Sequence, residues 1–103
     1  MVADRHTRAA YEAIRATARL GHVVFTSHAR EQMDLPDRDF TVNDVVGVLR
    51  RAENVWPDGP PANKWRVLGR DVDGGRRLVV VTLVDHRLTV ITVVPDVPSD
   101  ASR

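Results

Sequence analysis

Cysteine is absent from this 103-residue chain. That excludes a disulfide framework, a thiolate nucleophile and any cysteine-based metal site. Lysine is almost absent as well: Lys64 stands alone beside fourteen arginines. Arginine suits phosphate recognition, but codon usage in a GC-rich genome accounts for the bias more readily. The formal net charge is only +1, so the whole-chain balance argues for no particular partner. No apolar run approaches the roughly 18 residues that span a bilayer; the longest, Leu78 to Val84, is interrupted by Thr82. Met1 to Arg8 carries Asp4 and no hydrophobic stretch, so no secretory leader is expected. The expected location is the cytoplasm. There is no P-loop, no GxGxxG and no GxSxG, which removes the common nucleotide-cofactor and hydrolase signatures. His6, His22 and His86 have no metal-ligand spacing, and His22-x5-His28 matches no zinc pattern. Neither cofactor nor metal is expected.

What is present reads as one α+β domain over residues 1–103, with an ordered core from about residue 5 to residue 95. Asp4 or Thr7 is placed to cap a first helix reaching about Leu20. Its apolar stripe is Tyr11, Ile14 and Ala18. Arg8, Glu12, Arg15 and Arg19 fall on the solvent side, with Arg8–Glu12 an i,i+4 pair, and Gly21 is placed to stop the helix. Val23–Phe25 is a short strand. Thr26 and Ser27 offer N-caps for a second helix from His28 to about Asp34, with Ala29 and Met33 inward and Pro36 beyond its end. Asp34, Asp37 and Asp39 cluster in a solvated connection.

A third helix starts at Thr41, which forms a capping box with Asp44, while Phe40 staples onto Val45. Val42, Val45, Val46 and Leu49 form its expected buried stripe, and it stops near Arg51 or Ala52. Trp56 to Asn63, WPDGPPAN, is expected to be loop, because its prolines and glycine oppose regular structure. Three strands follow. Lys64–Arg70 alternates, with Trp65 and Val67 on one face and Lys64, Arg66, Leu68 and Arg70 on the other. Asp73-Gly74-Gly75 turns the chain into Arg77–Val84, apolar on both faces and therefore central. Asp85-His86 turns it again into Arg87–Val94, and residues 95–103 are expected to be a tail.

Two groups of residues could carry chemistry. His28 sits where backbone N–H groups converge at a helix start, a place suited to a phosphate. A neutral imidazole there could act as general base on a ribose 2′-OH. The plainer role is a helix cap. Lys64, Arg66 and Arg70 share a strand face, with i,i+2 positions such as Lys64 and Arg66 about 7 Å apart, and such a stripe could clamp a phosphate backbone. The plainer role is a solvated face. Trp56 could stack a base or simply lid the core.

The run Phe25-Thr26-Ser27-His28-Ala29-Arg30 with Met33, then the Val-rich helix Val42–Leu49, Asn54–Pro57 and the apolar sheet Leu78–Val94, resembles the bacterial family called domain of unknown function 4258. The resemblance covers about residues 22 to 94. It departs at Gln32, where relatives often have arginine, and at Arg38-Asp39-Phe40, where they commonly have Arg-Gly-Ile. The family looks like part of the RelE-like group of small toxins. That implies N-terminal helices packed on a twisted antiparallel sheet, with RNA lying across the exposed sheet face.

The resemblance implies a metal-independent endoribonuclease of a toxin–antitoxin system. His28, Arg30, Lys64 and Arg66 would be catalytic, and Arg70, Trp56 and Thr92 would contact the RNA. A cognate antitoxin would cover the sheet. The alternative is a non-catalytic RNA- or protein-binding module on the same fold. A homodimer formed through an open edge of the long apolar strands is compatible with either.

Overall fold

The computed structural model describes residues 5–34, 40–60 and 62–94. Among them are three helices and five strands: α1 (Arg5–Arg19), β1 (Val23–Phe25), α2 (Ser27–Met33), α3 (Val42–Arg50), β2 (Ala52–Pro57), β3 (Lys64–Arg70), β4 (Arg76–Val84) and β5 (Arg87–Val94). The strands form one sheet in the order β1-β5-β4-β3-β2. The α+β class holds, but the sheet is mixed rather than antiparallel. β1 runs parallel to β5, pairing Val23, Val24 and Phe25 with Leu88, Thr89 and Val90. No tight turn joins these two strands, so nothing imposes the antiparallel direction that a hairpin would.

The helix ends follow side-chain chemistry. α1 stops in a Schellman arrangement: His22 N–H donates to Thr17 O (3.2 Å), Gly21 N–H to Ala18 O (3.0 Å), and Gly21 takes φ +79°. Thr7 lies inside α1 and is buried, so it is no cap; Asp4 lies outside the described residues. Thr26 caps α2, accepting from Ala29 N–H at 3.1 Å. Pro36, Asp37, Arg38 and Asp39 lie outside the described residues. Thr41 and Asp44 form the expected capping box, Asp44 accepting from Thr41 N–H (3.0 Å) and Thr41 Oγ1 from Asp44 N–H (3.2 Å). The buried stripe of α3 is Val45, Val48 and Leu49, whereas Val42 is 44% exposed. The inward stripe thus begins one turn later than the sequence pattern suggests.

One buried cluster joins Ile14 and Ala18 of α1, Ala29 of α2 and Val45, Val48 and Leu49 of α3 to Trp65, Val67, Val79, Val81, Leu88, Val90 and Val93 of the sheet. α3 lies especially close to β3. A Cβ on Gly69 would run into the Val48 carbonyl oxygen and sit 3.1 Å from that of Arg51, so the approach requires glycine. In β5 the pairing with β4 skips Ile91. This bulge changes the inward set from a strict alternation to Leu88, Val90 and Val93. The tail expected at residues 95–103 lies outside the described residues. Among the described residues no helix is long and apolar enough to cross a membrane.

Candidate functional site

His28 occupies the second position of α2, one place further in than expected, because the cap is Thr26 and the helix opens at Ser27. Thr26 already performs the capping, so His28 is not needed for it. The imidazole is exposed, and no described residue hydrogen-bonds it. The start of α2 is tied to β5. Thr26 N–H donates to Val90 O (3.0 Å) and its hydroxyl to Ile91 O (3.4 Å). Further along, Gln32 Oε1 accepts from the Val93 N–H at 2.9 Å. Gln32 therefore satisfies a buried strand amide that β1 is too short to reach. Arg30 is exposed, its guanidinium 5.8 Å from the centre of the Phe25 ring.

The sheet face turned away from the buried cluster carries most of the other predicted residues. Trp56 pairs with Arg66, Arg66 with Val80, and Val80 with Thr92. Trp56, Arg66 and Thr92 thus lie on one line across four strands. Trp56 belongs to β2 and not to a loop. The sequence hid β2 because a register shift between Ala52 and Asn54 breaks the alternation by which strands are recognised. Lys64 lies two residues from Arg66, and Arg70 four residues from it in the other direction. Between Arg66 and Arg70 the face is apolar and buried: Leu68 is 1% exposed, and Leu78 and Val80 are 7% exposed. A continuous bare basic stripe is therefore not what the sheet presents.

The cations on this face have acidic partners. Asp58 receives both Arg66 Nε (2.7 Å) and Lys64 Nζ (3.4 Å). Glu53, at the register shift, accepts a hydrogen bond from Arg70 Nε (3.2 Å) and forms an ion pair with Arg76, Nε to Oε1 3.3 Å. No sequence motif distinguishes either carboxylate. Asp58 falls within the proline- and glycine-rich stretch WPDGPPAN, and only strand pairing brings it beside residues that follow six and eight positions later.

A third acidic group, Asp44, Asp71 and Asp73, brings carboxylate oxygens within 4.8 Å of one another. Its two buried members already accept from protein donors. Asp44 accepts from Thr41 and from Val72 N–H (3.3 Å). Asp71 accepts from the N–H groups of Asp73 (2.9 Å) and Gly75 (2.8 Å) and from Arg77 Nε (3.0 Å). Burial raises the Asp71 carboxyl. The hydrogen bonds from Arg77, Gly75 and Asp73, with the Arg77 charge, more than offset this and leave it below the ordinary carboxylate value. The arrangement locks the β3–β4 turn to the start of α3.

A groove of about 320 Å³ lies elsewhere, lined by His6, Ala9, Ala13, Asn63, Trp65 and Leu83. It contains none of the predicted catalytic residues.

A family model described as a domain of unknown function, DUF4258, matches residues 25–95. The chain belongs to the DUF4258 family. The match runs from the last residue of β1 through β5 and leaves α1 outside it. It therefore takes in His28, the Asp58 ion pairs and the Trp56–Arg66–Thr92 line. No curated protein matches the chain.

Proposed function

We propose that this DUF4258 chain is a metal-independent endoribonuclease of the RelE-like toxin kind, made with a neutralising antitoxin that covers the sheet. The supporting observation is the line Trp56–Arg66–Val80–Thr92, beside whose β5 end α2 begins. Arg66 and Thr92 are separated by two strand spacings, about 10 Å, a span that the arginine side chain and one nucleotide can bridge.

In this reading His28 takes the proton of a ribose 2′-OH, and the freed oxygen attacks the adjacent phosphorus. The bond from phosphorus to the 5′-oxygen breaks, leaving a 2′,3′-cyclic phosphate, and the leaving oxygen takes a proton from solvent or an acidic group. Arg66 and Lys64 neutralise the developing charge once phosphate displaces Asp58 from them, and Arg30 adds a further cation. Trp56 stacks a base; Arg70 and Thr92 hold the flanking backbone.

A second reading is a non-catalytic RNA- or protein-binding module. It is favoured by the absence of a described hydrogen-bond partner to orient His28, and by the pairing of Lys64 and Arg66 with Asp58. Inducing wild type and His28→Ala in a bacterial host, with growth and total-RNA integrity followed together, separates the two. Growth arrest with RNA fragmentation, abolished by a folded His28→Ala, is the expected result. Intact RNA and normal growth with soluble wild type would reject the ribonuclease and leave the binding module. Fragmentation that survives His28→Ala would remove His28 from the mechanism.

A further inference from the structure

The two edges of the sheet are built differently. β2 discourages edge pairing by a register shift, the charged Glu53 within it and Pro57 at its end, whereas β1 does so by its three-residue length alone. β1, Val23-Val24-Phe25, has no proline, no charge and no bulge. The direction of its backbone groups follows from its neighbours. Leu88 N–H donates to His22 O (2.9 Å), and Thr26 N–H donates to Val90 O (3.0 Å). In a parallel ladder alternate residues face the partner, so His22, Val24 and Thr26 turn to β5. Val23 and Phe25 then turn their N–H and C=O groups outward, and no described backbone group outside the ladder meets them. Val24, between them, is 44% exposed.

This spacing is self-complementary. We propose that β1 pairs antiparallel with β1 of a second copy, about a two-fold axis at Val24, joining two five-stranded sheets into one. Val23 of each copy then lies opposite Phe25 of the other and exchanges both hydrogen bonds with it, four in all. The two Val24 side chains meet across the axis as a non-hydrogen-bonded pair and leave water together. The net charge of +1 does not oppose the association. Three-residue strands bury much less than the roughly 1,000 Å² of a stable interface, so the dimer is weak and concentration-dependent.

The test is sedimentation velocity of the full chain from about 10 µM to 1 mM, a range that spans weak association, with amide exchange followed at both ends. The expected result is a rise toward twice the monomer mass. The Val23 and Phe25 amides gain protection only at high concentration, while Val24, already bonded to β5, is protected throughout. Val23→Pro removes an outward N–H that makes no internal bond, and Val24→Lys sets two like charges facing each other; each should leave a folded monomer. Val24→Lys keeps the test open if Val23→Pro does not fold. A wild type that stays monomeric overturns the proposal, as does a dimer that persists in Val24→Lys. Protection of Val23 and Phe25 only on adding a different protein would assign the edge to that chain and also overturn self-pairing.

Discussion

Asp71 is buried at 4% exposure and still sits below the ordinary carboxylate value, because Arg77 and two turn amides outweigh the cost of burial. A lowered folded value means the unfolded chain binds the proton more readily. The stabilisation is therefore present above the unfolded value, about pH 3.9, and is lost as the pH falls through the lower folded value. Asp71→Asn is expected to cost about 2 kcal/mol near neutrality. The gap from wild type should stay constant from about pH 5 upward and close below about pH 4. Urea melts across that range check it, and a gap independent of pH would refute the assignment. Gln32 gives a second prediction at this scale. Its Oε1 is the acceptor for the N–H of Val93, a residue only 2% exposed. Gln32→Ala should cost about 1–3 kcal/mol, the penalty of an unmet buried donor, and should speed exchange of the Val93 amide before its β4-facing neighbours.

At the scale of elements, two contacts decide how the pieces meet. Gly69 lets the end of α3 lie directly on β3, where a methyl group would strike the Val48 carbonyl. Gly69→Ala should cost about 3 kcal/mol, at the upper end of overpacking, read as a fall in melting temperature with secondary structure retained. The β4–β5 turn has the opposite character. Asp85 and His86 both take positive φ, 49° and 62°, the backbone a two-residue hairpin requires and non-glycine residues resist. His86→Gly should stabilise by about 0.5–1 kcal/mol, the relief of left-handed strain less the added freedom of the unfolded chain. A loss of stability on thermal melting would show that the His86 side chain contributes something the turn geometry does not account for.

At the scale of the whole molecule, charge is compensated where the ribonuclease reading needs it exposed. Lys64 and Arg66 share Asp58, and Arg70 and Arg76 share Glu53. These pairs are partly solvated and hold little energy, so a polyanion can compete for the cations. Asp58→Asn is accordingly expected to tighten binding of a labelled single-stranded RNA several-fold and to steepen its salt dependence, since more phosphate contacts release more counterions. Unchanged affinity in a wild type that does bind RNA would move the contact surface away from Lys64 and Arg66.

The local parts of this architecture were legible in the residues. Thr41 with Asp44, Gly21, Asp85-His86 and the alternation through Trp65 and Val67 each act over a few positions, and short-range sterics and hydrogen bonding decide them wherever the segment lies. The sequence did not show β2, whose register shift at Glu53 erases the period of two. Nor did it show the parallel seating of β1 on β5, which joins strands from distant parts of the chain, Val23–Phe25 and Arg87–Val94. The candidate site divides in the same way. Which residues carry charge and an imidazole was plain from the chain; that Asp58 and Glu53 hold the cations, and that Leu68, Leu78 and Val80 bury the ground between them, was decided by packing. The sequence alone determines what each short segment prefers to be. Only the tertiary structure decides what each side chain faces, because strand pairing and burial join residues that no local periodicity relates.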